Sequence, residues 1–327
     1  MIPLLLTFLL GAASLSSATT LFVSSYAGTV TSLSLTEHGS NYSLDQTSVS
    51  TDCAPNPSWL TLDPNRGLLY CLNEGLEMVN GSLSSFKVNT DGSLVHVQNT
   101  TTISGPVSGV IYGAPAGGRA IALAHYTGSA LSSWHLNGGG NFSLNQNIVF
   151  TLNQTGPVAS RQEAPHEHEA ILDPTGRYLL VPDLGADLVR VFSYDSTLKL
   201  QELNPLRVEP GDGPRHAAFY NPYGVACEGC TTFLYVVNEL GSTVKGYAVT
   251  YEANSGGLSF EQIYNSSTHG YLSTPEGNAP SEILVSVSSK HTSMLPFNAN
   301  ASHSSIARQP LPDHRQPQRQ FRHGTES

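Results

Sequence analysis

The sequence is poor in charged residues, and those it has are mostly acidic. Asp, Glu, Lys and Arg make up 12% of the 327 residues, and the formal net charge is −10 with histidine neutral. This balance argues against nucleic acid and anionic membranes as partners, because both repel an acidic surface. An anionic small molecule would have to bind locally, through a few Arg and His side chains.

Long apolar runs are absent after the N-terminal segment. No later segment has the roughly 18 consecutive apolar residues that a membrane-spanning helix needs. The N-terminal run Leu4–Leu10 is shorter and leads to small residues that end at Ala18. A short apolar core before an A-x-A-like site indicates a cleaved signal peptide over residues 1–18. The sequence therefore predicts a secreted, extracellular protein. The alternative is a buried first strand.

Cysteine is scarce, with four residues in the chain. In an oxidising compartment we expect Cys53 to pair with Cys71, and Cys227 with Cys230. The alternative for the second pair is a redox CxxC motif. Such motifs begin a helix, whereas this pair lies in a predicted loop, so a structural disulfide is favoured.

In a secreted protein, Asn-x-Ser/Thr sequons on exposed loops are expected to accept N-linked glycans. Sequons spread along the whole chain are typical of a glycan-coated surface. They lie at Asn41, Asn80, Asn99, Asn141, Asn153, Asn265 and Asn300.

Helical periodicity is almost absent, and short β-branched and aromatic runs separated by Gly, Pro, Asn and Asp take its place. These runs repeat: Leu62–Tyr70 resembles Leu172–Leu180, and Tyr220–Pro222 with Phe233–Tyr235 is a looser copy. The units recur at roughly 45–60 residues with four strands each, which is the period of a β-propeller blade. The sequence therefore predicts an all-β propeller over residues 19–286.

The repeat predicts four full blades and two partial ones. Residues 20–46 supply three strands of a blade without its inner strand, and Ser281–Ser286 is expected to start another blade. Residues 287–327 are rich in Pro, Gln, His and Arg and are predicted to be a disordered tail. The propeller is therefore expected to be incomplete at the C-terminus. The full blades are predicted at about 58–98, 107–150, 166–204 and 214–264.

The repeat also predicts where a site lies. The strand before each Asp-Pro turn is expected to be innermost, with its start facing the central channel, where propellers bind small molecules. The side chains brought near the axis by this reasoning are Trp59, His168, Arg215, His216 and Glu282.

The densest ionisable cluster is the segment 164–169, Ala-Pro-His-Glu-His-Glu. His166 and His168 share a face if the segment is extended. Three roles stay open for them: a metal-chelating pair, side chains of a solvated loop, or channel-facing acids, bases or hydrogen-bond donors. Nothing in the sequence demands a third ligand, so we assign no metal.

Arg215 and His216 follow a rigid Gly/Pro turn. A planar guanidinium suits bidentate binding of carboxylate or phosphate. The alternative is a structural Arg215 paired with Asp183 or Asp187 of the neighbouring blade. Glu239, at the end of a second strand, is either a base near the channel or a turn acid.

At these residues the chain resembles the seven-bladed propeller lactonase family, which joins 6-phosphogluconolactonases and carboxymuconate lactonizing enzymes. The resemblance covers about residues 20–286 and is most specific in the middle blades. The motifs that carry it are Pro165–His168, Asp173–Tyr178 with Val181–Asp187, Gly213–His216, Val237–Gly241 and Asn278–Ile283.

The resemblance implies a seven-bladed propeller that acts on a lactone or its acid, with 6-phosphogluconolactone as the family-typical substrate. It assigns catalysis to His168, Arg215 and Glu239. From their expected places near the channel, we predict that His166, His216 and Glu282 bind the substrate, and we expect a monomer without a cofactor. A further family Arg belongs to a late blade whose sequence has no counterpart in this chain. Two alternatives stay open: a carboxymuconate cycloisomerase, and a secreted propeller that binds without catalysis.

Overall fold

The chain forms five antiparallel sheets in the part that the structure describes. The computed structural model describes residues 18–114, 117–222, 231–252, 257–286 and 306–308. Apart from a 3-10 turn at Gly138–Gly140, the regular elements in these ranges are β-strands, so the predicted all-β class is confirmed. No helix in these ranges is long and apolar enough to cross a membrane.

The strands are numbered β1 to β21 along the chain. Sheet 1 contains β1 (Ala18–Ser25), β2 (Thr29–His38), β3 (Asn41–Ser50) and the distant β21 (Ile306–Arg308). Sheet 2 contains β4 (Pro57–Asp63), β5 (Leu68–Asn73), β6 (Ser82–Val88) and β7 (Leu94–Thr101). Sheet 3 contains β8 (Pro106–Gly113), β9 (Arg119–His125), β10 (Ala130–Leu136) and β11 (Phe142–Val149).

The last two sheets follow the same plan. Sheet 4 contains β12 (Ile171–Leu172), β13 (Tyr178–Asp183), β14 (Leu188–Tyr194) and β15 (Leu200–Glu202), with β16 (Leu206–Arg207) also paired to β14. Sheet 5 contains β17 (Pro214–Tyr220), β18 (Thr232–Asn238), β19 (Thr243–Glu252) and β20 (Gly257–Ser267). The four complete sheets lie where the repeat predicted full blades.

The sheets stack radially around a centre. β4 contacts β21 on one side and β8 on the other, and β8 contacts β12, so these first strands lie side by side at the centre. The fourth strands, such as β3 and β20, carry mostly exposed residues and form the rim. Radial stacking of four-stranded sheets is the propeller architecture that the repeat predicted.

Apolar clusters between successive sheets hold the ring together. A single sheet with two apolar faces cannot bury both alone, and burial of each large side chain contributes about 1.5–3 kcal/mol. Residues of successive sheets that share one cluster are Phe22 and Phe86, Tyr70 and Trp134, Leu131 and Phe192, and Val191 and Tyr247.

The Asp-Pro turn of the repeat has a local cause. In sheet 4, Asp173 Oδ1 accepts the backbone N–H groups of Arg177 and Tyr178 at 2.8 and 2.7 Å. Its Oδ2 accepts the N–H of Thr175 at 2.9 Å. One carboxylate therefore satisfies three backbone donors at the tip of the hairpin, while Pro174 ends the preceding strand.

The C-terminal segment differs from the sequence-based expectation at two places. Residues 306–308 pair antiparallel with residues 21–23 and supply the inner strand of sheet 1, which we expected to be missing. This strand is only three residues long and lacks the Asp-Pro turn by which the other units were recognised. The rest of the predicted disordered tail, 287–305 and 309–327, lies outside the described residues.

The second difference is Ser281–Ser286, which forms no strand although we expected it to start another blade. Ile283 is buried and packs with Val237 and Val244 of sheet 5. Arg215 donates a hydrogen bond to the carbonyl of Ser281. The backbone of this segment is therefore held by a side chain of sheet 5 instead of a neighbouring strand.

Cys53 and Cys71 form a disulfide with their Cα atoms 6.0 Å apart, the pairing that the sequence predicted for them. Cys227, Cys230, Asn300 and the predicted signal peptide through residue 17 lie outside the described residues. The six sequon asparagines within them are all exposed: Asn41, Asn80, Asn99, Asn141, Asn153 and Asn265.

A buried histidine in sheet 3 predicts acid sensitivity of the fold. His125 Nε2 lies 2.8 Å from the Ser132 hydroxyl oxygen, and His125 Nδ1 lies 3.1 Å from the carbonyl oxygen of Ile103. Burial lowers the pKa of His125 to about 4 from its usual 6.5. Below pH 6.5 the unfolded chain binds this proton more readily, so the native state loses roughly 3 kcal/mol between pH 6.5 and 4.

Urea unfolding at pH 7 and pH 4 measures this loss. His125→Gln should be less stable at pH 7, but its further loss on acidification should be smaller than that of the wild type by roughly 3 kcal/mol. The exposed His38 is the matched control, and His38→Gln should follow the wild type. An equal acid-induced loss in all three proteins would contradict the assignment.

Candidate active site

Two backbone segments of each sheet meet at one end of the channel. Pro57 pairs with Asn73, Pro106 with His125 and Pro214 with Asn238, so the start of each first strand lies beside the end of the second. The residues that follow the second strands therefore join the predicted first-strand residues. They are Tyr26, Glu74, Tyr126, Leu184 and Glu239.

A register shift at the start of the first strand brings neighbouring side chains to the channel. In sheet 5 the shift lies between Pro214 and His216, and sheets 2 and 3 show the same irregularity. A bulge re-aims the side chain it displaces. Arg215 and His216 are consecutive, yet both are buried, and Arg215 Nη1 lies 3.3 Å from His216 Nε2.

One carboxylate holds two guanidinium groups. Glu239 Oε2 lies 2.9 Å from Arg215 Nε, and Glu239 Oε1 lies 2.7 Å from Arg161 Nη2. Burial lowers the pKa of the Arg215 guanidinium, and the nearby carboxylates oppose this effect. Arg161 also donates to the Tyr126 hydroxyl at 3.2 Å. Both oxygens of Glu239 are therefore occupied by cations, which suits a group that positions Arg215 better than a base.

His166 and His168 share a face, as predicted, and both contact Tyr126. The His166 ring stacks on Tyr126 with centroids 4.3 Å apart, and the His168 ring meets it edge-on at 5.3 Å. His166 is held further by the Tyr126 carbonyl at 2.9 Å and by Glu163 at 3.1 Å. With both His166 nitrogens engaged, a metal-chelating His166–His168 pair has no support in this geometry.

Glu167 faces away from the channel. Its Oε1 lies 3.2 Å from Arg190 Nε, and Arg190 Nη2 lies 2.7 Å from Asp183 Oδ2. Burial and the charge of Asp183 raise the pKa of Glu167 well above its usual value. The same contacts settle the alternative for Arg215. Asp183 pairs with Arg190, and Asp187 accepts the N–H groups of Gly211 and Gly213 at 2.7 and 2.9 Å.

His216 lies between two carboxyl groups. Its Nδ1 is 3.1 Å from Glu282 Oε2 and 4.0 Å from Glu169 Oε1. Burial and the charge of Glu282 raise the pKa of Glu169 to about 7, although His216 opposes the shift. Burial alone would raise the pKa of Glu282, but the neighbouring His216 and Arg215 outweigh this effect and lower it. The pKa values of the two carboxyl groups are therefore shifted in opposite directions.

The donor atoms of Glu169, His216 and Glu282 lie within 4.8 Å of one another, a spacing that a metal ion could bridge. A guanidinium can only donate hydrogen bonds, so the Arg215 contact makes His216 Nε2 an acceptor and puts the ring proton on Nδ1. A protonated Nδ1 donates to Glu282 and cannot bind a metal. The arrangement fits a hydrogen-bond relay.

Tyr26, Glu74 and Glu169 are site residues that the sequence analysis did not select. The Tyr26 hydroxyl donates to Glu74, and burial raises the pKa of Glu74 while the charge of Arg215 opposes it. A signal was present, because Asn73-Glu74 repeats Asn238-Glu239 at the end of a second strand. Glu169 had no such counterpart in the repeat.

The predicted residues are therefore largely gathered in one place. His168 lies 5.2 Å from His216 between ring centroids, and the Trp59 ring lies 6.0 Å from His216. Electrostatic contacts link Arg215 to Glu239, Glu282 and Glu169. The site combines anchored guanidinium groups with imidazole and carboxyl groups, which suits binding an oxyanion while a proton moves.

Fold and site together define a β-propeller with an acid–base site built from several blades at one end of its channel. The chain belongs to the seven-bladed β-propeller lactonase family, whose sequence model matches residues 20–319. The match extends past residue 286, where we expected the resemblance to end.

Named relatives share this family. A "probable 6-phosphogluconolactonase" from Arthroderma benhamiae is 30% identical over 270 residues, covering 83% of this chain and 64% of that protein. A 6-phosphogluconolactonase from Formosa agariphila is 28% identical, covering 65% of this chain and 58% of that protein. The chain thus spans less than two thirds of the length of these curated relatives.

Solved structures share the fold. The periplasmic gluconolactonase of Pseudomonas aeruginosa superposes with a TM-score of 0.65 at 22% identity, covering 83% of this chain and 74% of that one. At this identity the likeness establishes the propeller architecture.

The double ion pair of Glu239 predicts a large stability effect. Glu239→Gln removes the charge that balances the buried Arg215, and loss of one partner of a buried pair costs about 3 kcal/mol. The control is Glu163→Gln, because the Glu163 side chain is 56% exposed and should contribute less than about 0.5 kcal/mol. Urea unfolding at pH 7 measures both, and equal effects would contradict the role of Glu239.

Proposed function

We propose that the protein hydrolyses a sugar lactone, with 6-phosphogluconolactone as substrate and 6-phosphogluconate as product. The observation that carries the proposal is the buried Arg215, held by Glu239 beside His168 and His216. Relatives named 6-phosphogluconolactonase support the substrate class. We further propose that the protein acts outside the cell, which the disulfide and six exposed sequon asparagines support.

The reaction needs a base, a site for the developing negative charge and a proton for the leaving oxygen. His168 takes a proton from water as the water oxygen attacks the lactone carbonyl. Arg215 donates hydrogen bonds to the oxyanion that forms, and Glu239 holds its guanidinium in place. The bond between the carbonyl carbon and the ring oxygen then breaks, and the ring oxygen gains a proton to become a hydroxyl group.

Arg161 gives the site a second cationic group nearer to solvent. Its side chain is 38% exposed, whereas that of Arg215 is 5% exposed, although both bind Glu239. A guanidinium at the channel entrance can bind the phosphate of the substrate while the buried one acts at the carbonyl. We therefore assign phosphate recognition to Arg161.

The site assignment is tested with His168→Ala and Arg215→Lys in the full chain. Each should lower kcat/KM for 6-phosphogluconolactone by about 100-fold after subtraction of the spontaneous rate, because each removes a group used in the transition state. His38→Ala is the control, since His38 is exposed at the end of β2. Circular dichroism establishes that each variant folds.

The outcomes separate the claims. Turnover by the wild type with unchanged rates in both site variants would overturn the residue assignment. A folded wild type that opens no lactone would overturn the function itself. If it instead converts a carboxymuconate, product analysis would support the cycloisomerase alternative.

Phosphate recognition has its own test. Arg161→Ala should lower kcat/KM for 6-phosphogluconolactone by about 10- to 100-fold, because a hydrogen bond to a charged group contributes about 1.5–3 kcal/mol. Hydrolysis of the unphosphorylated gluconolactone should change little. An equal loss with both substrates would assign Arg161 a structural role instead.

A further inference from the structure

The segment between His168 and β12 carries a buried carboxyl group that the proposed reaction has not used. Glu169 is 6% exposed, and its Oε2 accepts the backbone N–H of Ala217 at 2.7 Å. Its Oε1 faces His216 Nδ1 at 4.0 Å, beyond hydrogen-bond distance. A carboxylate with little access to solvent and one hydrogen-bond donor is costly, whereas the protonated carboxyl group loses much of that penalty.

The hydrogen bonds of the groups around Glu169 that can be named go to other partners. Arg215 directs its Nη1 to His216 Nε2 and the carbonyl of Ser281, and its Nε to Glu239. The Nδ1 proton of His216 goes to Glu282, whose other oxygen accepts the N–H of Ile283 at 2.9 Å. The relay Arg215–His216–Glu282 is therefore complete without Glu169, which stands beside it as an extra acid.

Two carboxyl groups flank one imidazole, and their environments differ. Glu282 receives two donors and lies at the partly exposed edge, with a side chain 36% exposed. Glu169 has one donor and a side chain 8% exposed. When the environments of two neighbouring carboxyl groups separate their pKa values in this way, the less solvated group holds the proton and serves as the acid. The shifts described above have the same direction.

We propose that Glu169 is the general acid of the site and donates its proton to the ring oxygen of the lactone as it leaves. The inference rests on the proposed lactone hydrolysis. The bond between the carbonyl carbon and the ring oxygen breaks, and the electron pair on that oxygen takes the Glu169 proton. His168 meanwhile holds the proton taken from water, and returning it to Glu169 restores both groups.

This role differs from that of the neighbouring acids. Glu239 binds two cations and Glu282 accepts a hydrogen bond from His216, so both carboxyl groups act as acceptors in this geometry. Glu167 is buried and two residues away, but it faces Arg190 on the opposite side of the segment. Glu167 is therefore a matched control for Glu169.

The test uses the full chain and the pH dependence of kcat for 6-phosphogluconolactone. Wild-type kcat should fall as pH rises through about 7, because the acid loses its proton. Glu169→Gln keeps the side-chain volume and an oxygen for Ala217 N–H but has no acidic proton. Its kcat should drop about 100-fold, with KM within about threefold and no alkaline fall near pH 7. Glu167→Gln should keep the wild-type profile.

A second readout does not need turnover. Difference infrared spectroscopy of the free protein between pH 6 and pH 8 should show loss of a protonated carboxyl band in the wild type. The contribution of Glu169 to this loss should be absent from the Glu169→Gln difference spectrum and present in that of Glu167→Gln. Turnover by the wild type with an unchanged kcat profile in Glu169→Gln would overturn this inference and leave the proposed function standing. Absence of turnover in the wild type would overturn the proposed function, and the infrared result would then decide the protonation of Glu169 alone.

Discussion

The antiparallel pairing of the first two strands in each sheet determines where the chemistry of this protein lies. Because the first strand begins where the second ends, every sheet presents two short backbone segments at the same end of the channel. Arg215 comes from one such segment and Glu239 from the other, and each directly follows a residue of the Pro214–Asn238 pair. Their ion pair is thus fixed by a backbone ladder, which is stiffer than a loop.

The sequence was sufficient for the propeller and for half of the site. The Asp-Pro turn recurs because one carboxylate can cap a hairpin tip, so the blade period is visible in a single chain. The starts of the first strands follow from that period, and they include His168, Arg215 and His216. Glu74 could have been found by the same logic, since it copies the position of Glu239.

Other parts of the site depend on contacts that no repeat encodes. The choice of Glu239 over Asp183 as the partner of Arg215 depends on the bulge between Pro214 and His216, which re-aims the Arg215 side chain. A shift of one residue in strand register does not change the composition of the sequence, so the repeat could not reveal it. Protonation of Glu169 depends on its burial, and its burial could not be predicted because the residues before it in the sequence are also polar. The inner strand of sheet 1 was missed because three residues carry too little pattern to be matched.

Alternation along one extended segment gives the site both chemistry and rigidity. His166 and His168 point toward Tyr126, while Glu167 between them points into the ion-pair network of Arg190 and Asp183. The Arg190 guanidinium also lies 3.7 Å from the centroid of the Phe150 ring, in the packing between sheets 3 and 4. The imidazoles are therefore held from behind by a buried network that takes no part in the proposed reaction.

The position of β21 bears on how the chain folds as it is synthesised. Sheets 2 to 5 are each built from one continuous stretch, so each can form its hairpins soon after it leaves the ribosome. Sheet 1 cannot, because its inner strand is made after the other strands that the structure describes. The N-terminal strands must keep an open edge until residues 306–308 have been synthesised, which exposes them to mispairing for longer than the strands of the other sheets.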